Sequence, residues 1–261
     1  MCECIEYGCT NESACNYNSE VNLPNSTLCE YPQLGFDCDG NIIAQIGDVM
    51  EGGYLFYVDS TGQHGLVAAM EDIEGLYEWG CFGTDVDGAE GTSIGTGYQN
   101  SLDVINQGCT TNSHPFSTEG TAAQASLDYQ FGVYTDWFLP SKDEAIQFLF
   151  LINQNIGNFH TTNGEGDYPY YQTSSEINII DNYSLHINTG GASYNIDTES
   201  CTDSTITCYY GSVGPGNSKD DGNHRVRPIR AIGNWIMGCM DSLACNYNSE
   251  ANMADGSCEY A

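Results

Sequence analysis

The sequence predicts an α+β domain with long loops, flanked at both ends by small disulfide-stapled repeat modules. Three observations carry that prediction. Residues 8–31, GCTNESACNYNSEVNLPNSTLCEY, return near the other end as residues 238–260, GCMDSLACNYNSEANMADGSCEY, with all three cysteines kept. The span between them holds short apolar runs of strand type and one strongly capped apolar helix. Finally, 13 cysteines in a polar chain, with no C-x-x-C pair, read as a disulfide framework rather than a zinc ribbon or reduced thiols.

Each terminal module is too short to bury a useful core, because below about 40 residues a fold usually needs disulfides, metal or a partner. Residues 1–8 read as the tail of a preceding copy, since the repeat ends in S-C-E-Y and Cys2-Glu3 fits that ending. Residues 9–41 are the first module, with the short acidic extension FDCDGN, and 238–261 are the second. First-to-last closure pairs Cys9 with Cys29 and Cys239 with Cys258. Cys15 then needs an outside partner, and Cys38 is nearest. The same logic leaves Cys245 for a cysteine beyond residue 261, and assigns Cys2 and Cys4 to a module before residue 1, which accounts for the odd number. The start, MCECIEYGC, has no apolar h-region, and the chain reads as a slice of a longer secreted protein.

The central segment, 46–235, is long enough for one domain with a real core. GGYLFYVD (52–59) and HGLVAAM (64–70) read as paired strands joined by the turn 60–63. Residues 98–107 and 122–131 are helix candidates. The clearest helix follows Pro140. There Ser141 and Glu144 make a capping box, Asp143 sits in the first turn, and AIQFLFLINQ is apolar almost all round, as in a buried helix. Short strands follow at 170–176, 183–188 and 224–232, while 189–222, rich in Gly, Ser, Thr and Asp, reads mostly as loop. Cys81 and Cys109 are the only cysteines in the first half of this segment and form a natural pair. Closing that loop contributes roughly 3–4 kcal/mol in the chain-entropy view. Cys201 and Cys208 close a small loop, TESCTDSTITCYY. Trp79 and Trp137 are expected inside.

The formal charge is −31, from 36 acids against five bases, Lys142, Lys219, Arg225, Arg227 and Arg230. Nucleic-acid binding rests on cationic neutralisation of phosphate, so it is excluded, and polyanionic sugars and anionic membranes are disfavoured alike. No apolar run approaches 18 residues, so no segment is expected to insert in a membrane. Such self-repulsion suits bound divalent cations, or a saline exterior where the Debye length falls to about 3 Å near 1 M salt.

IGDVMEGGYLFYVDSTGQHGLVAAMED, EWGCFGT, DWFLPSKDE, YYQTSSE and HRVRPIRAIG follow one another in order. This series resembles the Lcl C-terminal-domain family of bacterial surface and collagen-like adhesins, which is similar to C-type-lectin-like and formylglycine-generating-enzyme folds. The terminal repeats resemble G-C-x-x-x-x-A-C-N-Y-N…D-G-S-C-x-Y units of large secreted Bacteroidota-type proteins. The resemblance implies a lectin-like fold whose first and last strands pair, with RVRPIRA beside GGYLFYV and both cysteine modules on one side. It implies arginines at 225, 227 and 230 that tie loops by bidentate bonds to carboxylates. The loop closed by Cys201 and Cys208 is then an insertion. No motif places the cysteines of the formylglycine-generating enzymes here, so that activity is not carried over.

Three acidic loops are candidate calcium sites: Asp37, Asp39 and Asn41; Asp85, Asp87 and Glu90; and Asp220, Asp221 and Asn223. None completes an EF-hand pattern, and the alternative is a set of solvated loops. The sugar-and-calcium signatures of true C-type lectins, Glu-Pro-Asn or Gln-Pro-Asp followed by Trp-Asn-Asp, are missing. Tyr168, Tyr170 and Tyr171, with Tyr209 and Tyr210, are candidate ligand-stacking rings, the alternative being that they roof the core. The five histidines show no H-x-x-x-H spacing, and no nucleophile elbow or P-loop appears. The sequence therefore points away from an enzyme. It favours an extracellular or cell-surface adhesion module that recognises a neutral glycan or a protein through loops 83–120 and 189–223, with calcium as its one candidate cofactor. The alternative is a structural spacer whose partners are the neighbouring repeat modules of the parent chain.

Overall fold

The computed structural model describes residues 6–115, 117–161, 169–190, 194–195, 200–201 and 208–259, with the side chains of 188–217 outside that description. It is an α+β protein braced by disulfides. In the first module, β1 (Tyr7–Gly8) and β2 (Leu23–Pro24) pair in parallel, and a 3₁₀ turn at Ser26–Leu28 is capped by the Asn25 side chain. Cys9 is bonded to Cys29 and Cys15 to Cys38.

In the central domain, β3 (Val49–Met50), β4 (Gly53–Val58) and β5 (His64–Ala69) are followed by α1 (Gly97–Asn106), α2 (Ala122–Asp128), α3 (Lys142–Ile146) and α4 (Phe148–Asn153). Then come β6 (Tyr170–Glu176), β7 (Asp181–Gly190), the short pair β8 (Tyr194–Asn195) and β9 (Ser200–Cys201), β10 (Cys208–Ser218) and β11 (Ile229–Gly233). The second module repeats the parallel pair as β12 (Met237–Gly238) and β13 (Met253–Ala254).

Two antiparallel sheets form, ordered β11-β5-β4-β3 and β10-β7-β6. Every residue of β5 is buried, and the pleat explains why. Leu66 and Ala68 face a cluster with Phe56, Phe138, Phe148, Tyr171 and Ile229, while Val67 and Ala69 face one with Leu55, Trp137 and Ile232. A third cluster, around Trp79, Val86, Val104, Ala122, Ala123, Leu139 and Val226, lies beneath the Cys81–Cys109 disulfide. Each fully buried Leu or Phe in these clusters contributes on the order of 1.5–3 kcal/mol.

Several sequence expectations are corrected. The helix after Pro140 begins at the expected capping box, with Ser141 N donating to Glu144. It is interrupted at Gln147, where Gln147 N reaches Glu144 O and Phe150 N reaches Gln147 O, bonds of 3₁₀ type. The second helix stops at Asp128 because Tyr129 turns extended. Among the described residues of 189–222 strand predominates over the expected loop: β7 runs on to Gly190, and β10 pairs with it from Cys208. CYYGSVGPGNS has no apolar alternation, and the ladder accommodates Pro215 through a register shift between Gly214 and Asn217. RVRPIRA does not lie beside GGYLFYV. The strand starts only after Pro228, and β11 pairs with β5, which separates it from β4. Pro228 has no N–H to give, but its carbonyl accepts from Ala69 N.

Both modules meet the domain beside the β4–β5 turn. Ile42 N donates to Gly62 O at 2.7 Å. At the other end Asn252 Nδ2 lies 2.9 Å from His64 Nε2, whose Nδ1 lies 2.8 Å from Asp59 Oδ2. Ala254 N donates to Gly95 O, and Met253 is buried in the first cluster. No helix among the described residues is long and apolar enough to cross a membrane.

Candidate functional site

The aromatic candidates separate once the strands are in place. Tyr171 lies in the core with no exposed surface, so it offers no ring to a ligand. Its hydroxyl accepts from His160 N at 2.7 Å and donates to Asp72 Oδ2 at 3.0 Å. Burial, then the Asp72 charge, pushes its pKa far up. Alternation along β6 turns Tyr170 to the opposite face, where it stacks on His186 at 4.2 Å between centroids. His224 lies 5.5 Å from Tyr170, is fully buried, and is held near pKa 3 by burial and then by His186. Tyr168 lies outside the described residues. Tyr209 and Tyr210 sit in β10 opposite Thr189 and Asn188, and their side chains are outside the description. The same holds for Cys201 and Cys208, whose expected disulfide lies there too. Trp79 and Trp137 are both buried.

The acidic loops behave differently from one another. Asp37 accepts from Asp39 N and Asn41 N through Oδ1, and from Asn41 Nδ2 through Oδ2. Its carboxylate closes its own turn, and those bonds from Asn41 hold its pKa below the usual range. In the second loop Asp85, Asp87 and Glu90 are exposed, while Val86 and Ala89 anchor the backbone inward. Asp103 on α1 faces Asp87 and Glu90, and its pKa is pushed up to about 6, first by burial and then by those two charges. In the third loop Asp220 accepts from Ser218 Oγ. Burial and then Asp220 push Asp221 upward, against the opposing effect of His114. Among the described residues, no three His, Cys, Asp or Glu side chains converge to hold a metal ion.

Two open clefts line the seams between modules and domain. The second, about 570 Å³, has Asp87, Glu90 and Asp103 on one wall and Met240, Asp241 and Gly256 on the other. The first, about 660 Å³, is walled by Tyr31, Phe36 and the Cys15–Cys38 bridge on the module side. Glu51, Asp136, Arg230 and Asn234 form the domain side. Arg230 is the organising group of this first cleft. Its Nε donates to Asp136 Oδ1, its Nη1 donates to Glu51 Oε2 at 2.9 Å, and its guanidinium lies 4.4 Å over the Tyr134 ring. The expected arginine ties thus span two carboxylates singly rather than one bidentately. Arg227 differs: it meets one carboxylate, through Nε on Asp72 Oδ1, while its Nη1 donates to the carbonyls of Ala69 and Gly157. Tyr31 is 54 % exposed, and its hydroxyl accepts from Asn11 Nδ2 at 2.7 Å, which fixes the ring at the rim.

The sequence reading missed this cleft. RVRPIRA marks Arg230, but Glu51 is 179 positions away and Asp136 is 94, so no spacing joins them. No protein-family model and no curated protein matches the chain.

Proposed function

We propose that this chain is a binding unit of an extracellular or surface-displayed bacterial protein, built on a lectin-like domain of the Lcl C-terminal type. In this reading the ligand is a neutral glycan, held in the cleft between the first module and the domain. The supporting observation is the composition of that cleft. A half-exposed aromatic ring shares the cleft with two carboxylates, a guanidinium and Asn234, the groups that suit sugar rings and hydroxyls. A formal charge of −31 opposes any polyanionic ligand. The experiment is a glycan array with wild-type protein, with Tyr31→Ala and in the presence of a chelator. Glycan binding that Tyr31→Ala reduces supports the reading, the chelator arm decides whether calcium takes part, and an array without signal refutes it.

The second reading, a structural spacer, is favoured by a separate observation. Main-chain bonds at Ile42–Gly62, where the first module leads into the domain, and at Ala254–Gly95 in the second fasten both modules to the domain. A chain of such units would be stiff. Ordered lateral association in the absence of any sugar would favour this reading.

A further inference from the structure

The two modules share a cysteine scaffold and differ in whether its middle cysteine is bonded. Cys9–Cys29 corresponds to Cys239–Cys258, with Cα separations of 4.9 and 4.7 Å. Cys15 N donates to Glu30 O at 2.7 Å, as Cys245 N does to Glu259 O at 2.7 Å. Glu30 N reaches Asn16 Oδ1 at 3.0 Å, and Glu259 N reaches Asn246 Oδ1 at 2.8 Å. On this shared scaffold Cys15 is bonded to Cys38, whereas Cys245 is exposed and carries a free thiol.

The partner used in the first module has a recognisable build. Asp37 closes a turn over Asp39 and Asn41, and Gly40 takes φ +82°, a left-handed backbone that a side chain would strain. The turn holds Cys38 toward Cys15. The flanking Phe36 is 8 % exposed and anchors the segment in the apolar cluster of Leu55 and Trp137.

We propose that Cys245 is a covalent coupling site for a cysteine carried in an acidic Asp-Cys-Asp-Gly-Asn turn of a further segment, the bond Cys15 already makes inside this chain. The inference is independent of the glycan reading. The step is thiol–disulfide exchange. The Cys245 thiolate attacks the turn cysteine held as a mixed disulfide with a small thiol such as glutathione. A new S–S bond forms, the old one breaks, and the small thiol leaves with the electron pair and takes up a proton. No further oxidant is needed.

The test appends the sequence of residues 33–41, QLGFDCDGN, after Ala261 in the otherwise intact protein. Equilibration in a glutathione buffer and peptide mapping then identify what each cysteine holds. We expect Cys245 linked to the appended cysteine, and no such link with Cys245→Ser. A second tail keeps the cysteine in place but replaces the aspartate before it by alanine, which removes the turn. Its ratio of linked to glutathione-capped Cys245 should fall about fivefold, the factor that about 1 kcal/mol of turn hydrogen bonding gives. Equal coupling by both tails would show mere tethered proximity and overturn the inference. So would a Cys245 that stays capped, or that pairs instead with Cys245 of a second molecule.

Discussion

Lys219 has no exposed side-chain surface, and Glu176, its ion-pair partner, has 1 %. The ammonium donates to Glu176 Oε1 and to Thr84 O at 2.9 Å, and lies 4.6 Å from the Trp79 ring centroid. Glu176 Oε2 accepts from Val86 N at 2.9 Å, so the pair ties the 81–90 loop to the second sheet. Lys219→Met keeps most of the volume and removes the charge. Glu176 is then a buried carboxylate without its cation, and breaking such a pair costs about 3–5 kcal/mol. The sign of the pH effect follows from Glu176. Burial already raises its folded pKa, and loss of Lys219 raises it further, because the ammonium was the main opposing influence. Stability gained by holding that proton is present below the unfolded pKa and is lost as pH rises through the folded one. The full cost therefore appears at pH 8. At pH 4.5 it shrinks to about 1–2 kcal/mol, what the unpaired Thr84 carbonyl costs. Lys219→Met combined with Glu176→Gln should recover most of the loss at pH 8. Urea unfolding followed by tryptophan fluorescence, with disulfides intact, measures all of this. An equal loss at both pH values would refute the electrostatic account and leave only packing.

Three further outcomes are expected. Replacing Cys81 and Cys109 together by alanine should lower stability by about 3–4 kcal/mol, from a separation of 28 residues; a loss below about 1 kcal/mol would show that the unfolded chain is not what the bridge restrains. Glu144, fully buried, has its pKa pushed up to about 7 by desolvation, so it adds stability below pH 4.5 that is lost as pH rises through 7, about 3 kcal/mol in all. His224, held near pKa 3 by burial, acts oppositely, stabilising above pH 6.5 and losing that contribution as pH falls toward 3. Between pH 4.5 and 6.5 the two offset each other. Glu144→Gln should therefore make the slope of stability against pH more positive by about 1.4 kcal/mol per pH unit there, and parallel denaturation profiles would refute the assignment. Asn252→Ala removes the bonds to His64 Nε2 and from Ile236 N, so about 1–2 kcal/mol of docking should go. Hydrogen exchange should then quicken at 236–254 while β5 stays protected, and unchanged exchange would show that Met253 burial alone holds the module.

Legibility followed the range of the interactions. The strand pair at 53–69, the capping box at Ser141 and the repeat with its cysteines are written in neighbouring residues, and local chemistry is enough to read them. The second sheet was half legible. Tyr170–Glu176 shows β-type residues, but β10 is made from Gly, Ser and Pro and exists because β7 offers it a ladder. The tyrosines show the same limit. Tyr170 and Tyr171 are adjacent and alike, yet one packs on His186 and the other is sealed under Asp72 and Arg227.

The amino-acid order alone determined that this is a disulfide-braced, acidic, two-ended chain, because cysteine spacing, charge and repetition do not depend on where atoms lie. Only the tertiary structure decided which polar groups meet. Arg230 with Glu51 and Asp136, His64 with Asn252, and Lys219 with Glu176 are all joined across long stretches of chain. Contacts of that kind are fixed by sheet order and by the burial that makes an unpaired charge costly, and neither quantity is local.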